Sequence, residues 1–269
     1  SGAARALIEA KPERAAEIAE SIEDPLLRSR TFAEIVGSLA RSDPDRALAL
    51  VSASEGGGWR VKMLAAIAVA LAETDAVRAV ETARKIGDPT SRDPALADVV
   101  AVFAEADPEF ALDVAGTIQN PGSRDAAELE VAVAVSRQDP ARALRMAKTM
   151  DASLVEDMAL DLVDSAPELS LELVERLPQP RRYPGTESYS FIPRILVGLY
   201  PRFPDRALEL AVGIEDPEWR ETAVKGIAEL AAEQDPQRAV KMADDFKDDQ
   251  WTHDSWLEGV ANGLVKSDP

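Results

Sequence analysis

The sequence predicts an all-α fold, an α-α superhelix (solenoid) of about eight antiparallel helical hairpins with a period of 32 residues. Three observations favour this class. A short Asp-Pro motif returns at regular spacing, as at Asp43-Pro44, Asp139-Pro140 and Asp235-Pro236. Apolar residues between the motifs follow the spacing of a helix face, and no stretch alternates with period two long enough to form a sheet. Regular returns of this kind are typical of stacked helical repeats.

Each motif is interpreted as the start of the first helix of a hairpin. An Asp side chain accepts hydrogen bonds from free N–H groups at a helix start, and Pro at the first helical position loses no bond. The predicted repeat starts are residues 11, 43, 75, 107, 139, 166, 203 and 235. We therefore predict one repeat domain over residues 1–269. Because Asp268-Pro269 would open another copy, we expect the sequence to be a piece of a longer array.

A second Asp-Pro motif opens the second helix of several hairpins, at positions 14 and 15 counted from the repeat start. Position 18 is arginine in five repeats, and these residues are predicted to form a structural ladder in which each side chain reaches the turn of the neighbouring repeat. The alternative is an anion-binding array. The five arginines are Arg28, Arg60, Arg92, Arg124 and Arg220.

The two motifs together resemble a known class of repeats. Asp-Pro-x-x-Arg before one helix and Asp-Pro-x-x-Ala-Leu before the next are similar to short HEAT-like repeats of the phycobilisome-lyase type, over nearly the whole chain. The period also fits tetratricopeptide repeats, the second choice, but their Trp, Leu-Gly and Tyr signature is missing. The resemblance implies an α-solenoid and, since HEAT-like proteins are mostly scaffolds, a scaffolding function.

Composition narrows the expected partners. The formal net charge is −19, and residues 107–269 carry 32 acidic against 17 basic side chains. Nucleic acid and anionic membranes both require basic surfaces, so neither is expected as a partner. The expected partner is another protein, with a basic one as the sharper alternative. The chain has no cysteine, which fits a cytoplasmic protein. We expect a monomer.

The residues offer no catalytic constellation. A cysteine nucleophile is absent, and the single histidine, His253, allows neither a paired-histidine metal site nor an arguable Ser-His pair. Gly56-Gly57-Gly58 lacks the Lys-Ser/Thr that follows a phosphate-binding loop. The acidic run around Asp244 lacks the spacing and glycine of a calcium loop. We therefore predict a protein that is not an enzyme and has no cofactor or metal.

Two neighbouring stretches are the candidate partner-binding elements. The acidic tract 151–175 carries eight acidic residues and no Lys or Arg. The stretch 178–194 extends the sixth repeat with four prolines and two tyrosines, which excludes a continuous helix. The plainer interpretations are that the acidic tract is a solvated face and that the stretch 178–194 is tolerated sequence drift. The candidate residues are Asp157, Asp161, Asp164, Arg181, Arg182, Tyr183 and Tyr189.

The sequence thus favours a non-catalytic protein–protein interaction scaffold that presents an acidic concave face and an aromatic loop insertion. Two alternatives stay open at this point. One is a module of a lyase-like enzyme that handles a ligand or chromophore. The other is a purely structural segment of a repeat array.

Overall fold

The computed structural model describes residues 12–53, 58–179 and 190–267, and their helices form consecutive hairpins. Across these ranges there are sixteen α-helices, one short 3-10 helix at Ala243–Phe246 and no strand. The chain divides into two compact units, Ser1–Val135 and Ser136–Pro269. The predicted all-α class is confirmed.

The described part of the first unit contains four hairpins. In each pair the first helix is the shorter one, with 8 to 10 residues, and the second has 15 to 18. The helices are α1 (Pro12–Glu20), α2 (Pro25–Ser42), α3 (Pro44–Ala53), α4 (Gly58–Ala72), α5 (Ala76–Arg84), α6 (Pro89–Phe103), α7 (Pro108–Ala115) and α8 (Pro121–Ser136).

Four more hairpins, less regular in length, lie in the described part of the second unit. Its second helices vary from 8 to 18 residues. The helices are α9 (Pro140–Ala147), α10 (Ala152–Asp161), α11 (Pro167–Arg176), α12 (Ile192–Leu199), α13 (Pro204–Val212), α14 (Pro217–Gln234), α15 (Pro236–Met242) and α16 (Gln250–Ser267).

Aspartate side chains account for most helix starts. In five hairpins the side chain at the predicted repeat start accepts the backbone N–H of the third residue after it, at 2.9–3.0 Å. These caps are Asp43, Asp75, Asp107, Asp139 and Asp235. The helices α11 and α13 instead follow Ala166 and Phe203, which give no side-chain cap. These two repeat starts are also those at which the spacing departs from 32 residues.

Packing within each unit is that of an α-solenoid. In the first unit α2 packs on α4 and α4 on α6; in the second, α12 packs on α14 and α14 on α16, so second helices stack on one another. Small and branched side chains fill the core, and Phe32 stacks on Trp59 of the next hairpin with ring centroids 5.0 Å apart. The predicted solenoid packing is thereby confirmed within each unit, with four hairpins in the described part of each.

Candidate partner-binding surfaces

Two of the predicted ladder arginines brace the loop of their own hairpin. The Nη1 atom of Arg28 donates to the carbonyl oxygen of Ile22 at 3.1 Å, and that of Arg220 to Ile214 at 3.4 Å. Both carbonyls lie between the two helices of the same hairpin. Each of these contacts ties a second helix to the loop before it; the turn of the neighbouring repeat that Arg28 is predicted to reach, residues 54–57, lies outside the described residues.

Arg220 also acts on the following hairpin. Hydrogen bonds from Thr252 and the nearby positive charge of Arg220 lower the pKa of Asp249, which precedes the start of α16. The remaining ladder positions, Arg60 and Arg124, are half-buried at the starts of α4 and α8.

A buried carboxylate makes the link between hairpins at Arg92. Asp93 is 1% exposed, and its Oδ1 accepts from Nε and Nη2 of Arg92 at 3.1 and 3.0 Å. Its Oδ2 accepts the backbone N–H groups of Gln119 and Asn120, in the loop of the next hairpin, at 3.0 and 2.8 Å. Burial alone would raise the pKa of Asp93, but these donors outweigh it and hold the pKa below its ordinary value.

A second carboxylate does the same in the other unit. The Oε2 atom of Glu156, on α10, accepts the Ser190 hydroxyl at 3.0 Å and the Phe191 N–H at 2.7 Å, just before α12. Neither link was predicted from the sequence, because the predicted ladder considered only the arginines at position 18. The available signal was Asp93 itself, an acid three residues before Leu96 on the buried stripe of α6.

One carboxylate of the acidic tract, that of Asp157, has a raised pKa. Asp157 is half-buried on α10, whereas Asp161, one turn later, and Asp164 are exposed. Burial and then the negative charge of Asp161 raise the pKa of Asp157. A positive group placed beside Asp157 and Asp161 would offset the repulsion between them and lower the pKa of Asp157. Asp157 and Asp161 together form the acidic patch, whereas Asp164 lies beyond the end of α10.

Other acids of the tract are already compensated. Glu175 accepts from Nε of Arg206 at 2.6 Å, and Glu172 pairs with Arg176 one turn later. The counter-charges come from outside residues 151–175, so the tract is less negative than its sequence indicates. The predicted loop residues Arg181, Arg182, Tyr183 and Tyr189 lie outside the described residues.

Removing the unfavourable negative charge of Asp157 should stabilise the protein. Asp157→Asn should raise the unfolding free energy at neutral pH by about 0.5 kcal/mol, because it removes a like-charge pair four residues apart. The wild-type pKa is raised, so acidification protonates Asp157 and the difference between the two proteins should close as pH falls through that pKa. Urea unfolding at several pH values measures this. Asp164→Asn, an exposed control, should change nothing, and an equal gain there would contradict the assignment.

A groove crosses the second helices of the first unit. It has a volume of about 570 Å3 and is lined by α2, α4 and one residue of α6. Most of its lining side chains are small, and three are charged. The small ones include Gly37, Ser38, Ala65, Ala66 and Ala70; the charged ones are Arg41, Glu73 and Asp98. Among the described lining residues the apolar side chains are no larger than valine, so the groove has open space at its apolar wall.

Neither a metal centre nor a membrane span is found in the described ranges. No group of three or more His, Asp or Glu side chains there is placed to hold a metal ion. None of the helices described combines the length and apolar character needed to cross a bilayer.

Comparison with known proteins adds one weak likeness. No protein-family model matches the chain, and no curated protein matches it. A solved structure, the crystal structure of Ton1535 from Thermococcus onnurineus NA1, is 16% identical; the match covers 96% of this chain and 98% of that one, with a TM-score of 0.28. A likeness at that TM-score carries no argument about this chain.

Proposed function

We propose that this protein is a non-catalytic scaffold that binds a segment of another protein in the groove across α2, α4 and α6. The observation that supports the proposal is the groove itself, because three consecutive hairpins contribute to it and its lining is mostly small. The regular Asp-capped helix starts support a further proposal, that the hairpins are HEAT-like repeats.

The chemistry of the groove favours one kind of segment. Ala65, Ala66 and Ala70 leave space that large apolar side chains of a partner can fill, and such side chains are common anchors at interfaces. Glu73 and Asp98 offer two negative charges at the groove, against one positive charge from Arg41. With a net charge of −19 on the chain, a basic segment with large apolar residues is the best complement.

The acidic patch in the second unit is consistent with the same partner class. Asp157 and Asp161 repel each other in the free protein, so a bound Lys or Arg would lower the cost of keeping both ionised. The patch would add attraction that weakens with salt, because exposed charges are screened over about 10 Å at 0.1 M ionic strength.

The test is selection of peptides on the purified chain, followed by affinity measurement. We expect the selected peptides to combine Lys or Arg with large apolar residues, and their binding to weaken as salt is raised. Ala66→Arg should reduce their affinity at least about tenfold, because a long charged side chain would occupy the groove and leave little room for the anchor.

Ala49→Arg is the matched control, since Ala49 is exposed on α3, the first helix of the same hairpin. That variant should bind like the wild type. Selected peptides without basic or large apolar residues, or binding unaffected by Ala66→Arg, would overturn the proposal. A selection that enriches no peptide would favour a purely structural array.

A further inference from the structure

A second cavity, in the other unit, has different chemistry from the groove. It lies among α9, α10 and α11 and has a volume of about 240 Å3. Six apolar residues form most of its wall: Leu144, Met150, Ala152, Val155, Leu173 and Leu177. Leu173 is 1% exposed and Val155 is 8% exposed, so the cavity reaches the core of the unit.

The cavity lies at a place where a recurring core residue is replaced. Position 12 of the repeat is isoleucine in four hairpins. Three of these side chains, Ile86, Ile118 and Ile214, are at most 2% exposed. In the fifth and sixth hairpins this position holds Met150 and Leu177, which are only half-buried and both line the cavity. The isoleucine that is buried at this position in the third, fourth and seventh hairpins is therefore missing in these two adjacent hairpins.

A short second helix accompanies the replacement. The helix α10 has 10 residues, whereas α2, α4, α6, α8, α14 and α16 have 15 to 18. Residues Ala152 and Val155, in its first turn, form one side of the cavity. Less chain is therefore present to fill the space between the first helices α9 and α11.

The remaining wall is positively charged. Lys148, directly after α9, and Arg176, in the last turn of α11, both line the cavity and both are exposed. Arg176 also contacts Glu172, but Lys148 has no ion-pair partner among the described residues. Two cations beside one apolar cavity stand out in a chain with a net charge of −19.

We propose that this cavity binds a small apolar molecule with an anionic head group, of the medium-chain carboxylate class. The apolar tail would lie against Leu144, Val155 and Leu173, and the carboxylate would be held by Lys148 and Arg176. Burial of the tail supplies the affinity, and the two cations select the charge of the head group. This inference does not rest on the groove in the first unit.

Calorimetric titration with three probes of equal chain length tests the proposal: octanoate, 1-octanol and octylammonium. Octanoate should bind at a single site with a Kd below about 1 mM. Its affinity should exceed that of 1-octanol at least about tenfold, and octylammonium should bind more weakly still. Equal binding of all three probes, or no saturable octanoate binding, would overturn the proposal.

Variants then locate the site. Lys148→Glu should weaken octanoate at least about tenfold and favour octylammonium instead. Arg84→Glu is its matched control, because Arg84 is exposed at the same repeat position of a hairpin in which buried Ile86 occupies position 12. Ala152→Phe should abolish binding by filling the cavity from an exposed helix start, with unchanged far-ultraviolet circular dichroism. Loss of binding in Arg84→Glu, or retention in both Lys148→Glu and Ala152→Phe, would assign octanoate to another place and refute the proposal.

Discussion

Replacing Asp93 by alanine is expected to lower the unfolding free energy by about 3 kcal/mol, since removal of one partner of a buried ion pair typically costs that much. The carboxylate accepts four hydrogen bonds, two from the Arg92 guanidinium and two from the N–H groups of Gln119 and Asn120. Alanine would leave all four donors without their acceptor. Urea unfolding followed by circular dichroism measures the loss.

Asp125 provides the matched control. It lies at the same repeat position on α8, is half-buried, and should cost no more than about 0.5 kcal/mol when replaced by alanine. An equal loss of unfolding free energy for Asp93→Ala and Asp125→Ala would mean that the link from Asp93 to the next loop does not stabilise the protein.

The same link predicts a pH dependence. The pKa of Asp93 is lower in the folded protein than its ordinary value of 3.8, so its stabilising effect is fully present above that value. As pH falls through the folded pKa, the folded state must take up the proton and the effect is lost. The stability difference between wild type and Asp93→Ala should therefore shrink below about pH 4. A difference that stays constant down to pH 2 would contradict the assignment.

Helix starts could be predicted from sequence because their cause is local. A capping Asp and a following Pro act within three residues, and the first helices begin at Pro44, Ala76, Pro108 and Pro140, one residue after the predicted starts. The periodic apolar positions likewise predicted the all-α class. Both signals depend on residues that are close together in the chain.

The candidate sites could not be predicted in the same way, because they depend on distant residues. The cavity of the second unit requires two half-buried residues, Met150 and Leu177, that come from different hairpins. The link at Asp93 requires a loop 26 residues later in the chain. The register could have shown that isoleucine is lost at position 12, but not that a space is left there.

The helices α14 and α16 of the second unit pack closely at two glycines. Gly259 and Gly263 of α16 lie against the backbone of α14. A methyl group at Gly259 would meet the carbonyl oxygen of Lys225 and come within 3.0 Å of the Lys225 Cα atom and 2.7 Å of the Ala228 side chain. At Gly263 it would meet the carbonyl oxygen of Glu229 and, at 2.9 Å, the Ala232 side chain. Backbone atoms cannot move aside as a flexible side chain can, so the two helices must separate.

We therefore expect Gly259→Ala and Gly263→Ala each to cost about 2 kcal/mol, and the double variant more than either alone, since overpacking a tight contact costs about 1–3 kcal/mol. The sign of the change in unfolding free energy distinguishes close packing from helix propensity. In a helix interior alanine is favoured over glycine by about 1 kcal/mol, so propensity alone predicts a gain. Urea unfolding separates the two expectations directly.

Gly37 is the matched control, because it lies inside α2 and a methyl group there would meet nothing within 4 Å. Gly37→Ala should stabilise the protein by about 0.5–1 kcal/mol through helix propensity alone. The same substitution is thus expected to change sign between α2 and α16. If Gly259→Ala and Gly263→Ala also stabilised the protein, the close contact between α14 and α16 would be refuted. If all three substitutions were destabilising, the free space beside Gly37 would be refuted, and with it part of the groove proposed to bind a partner.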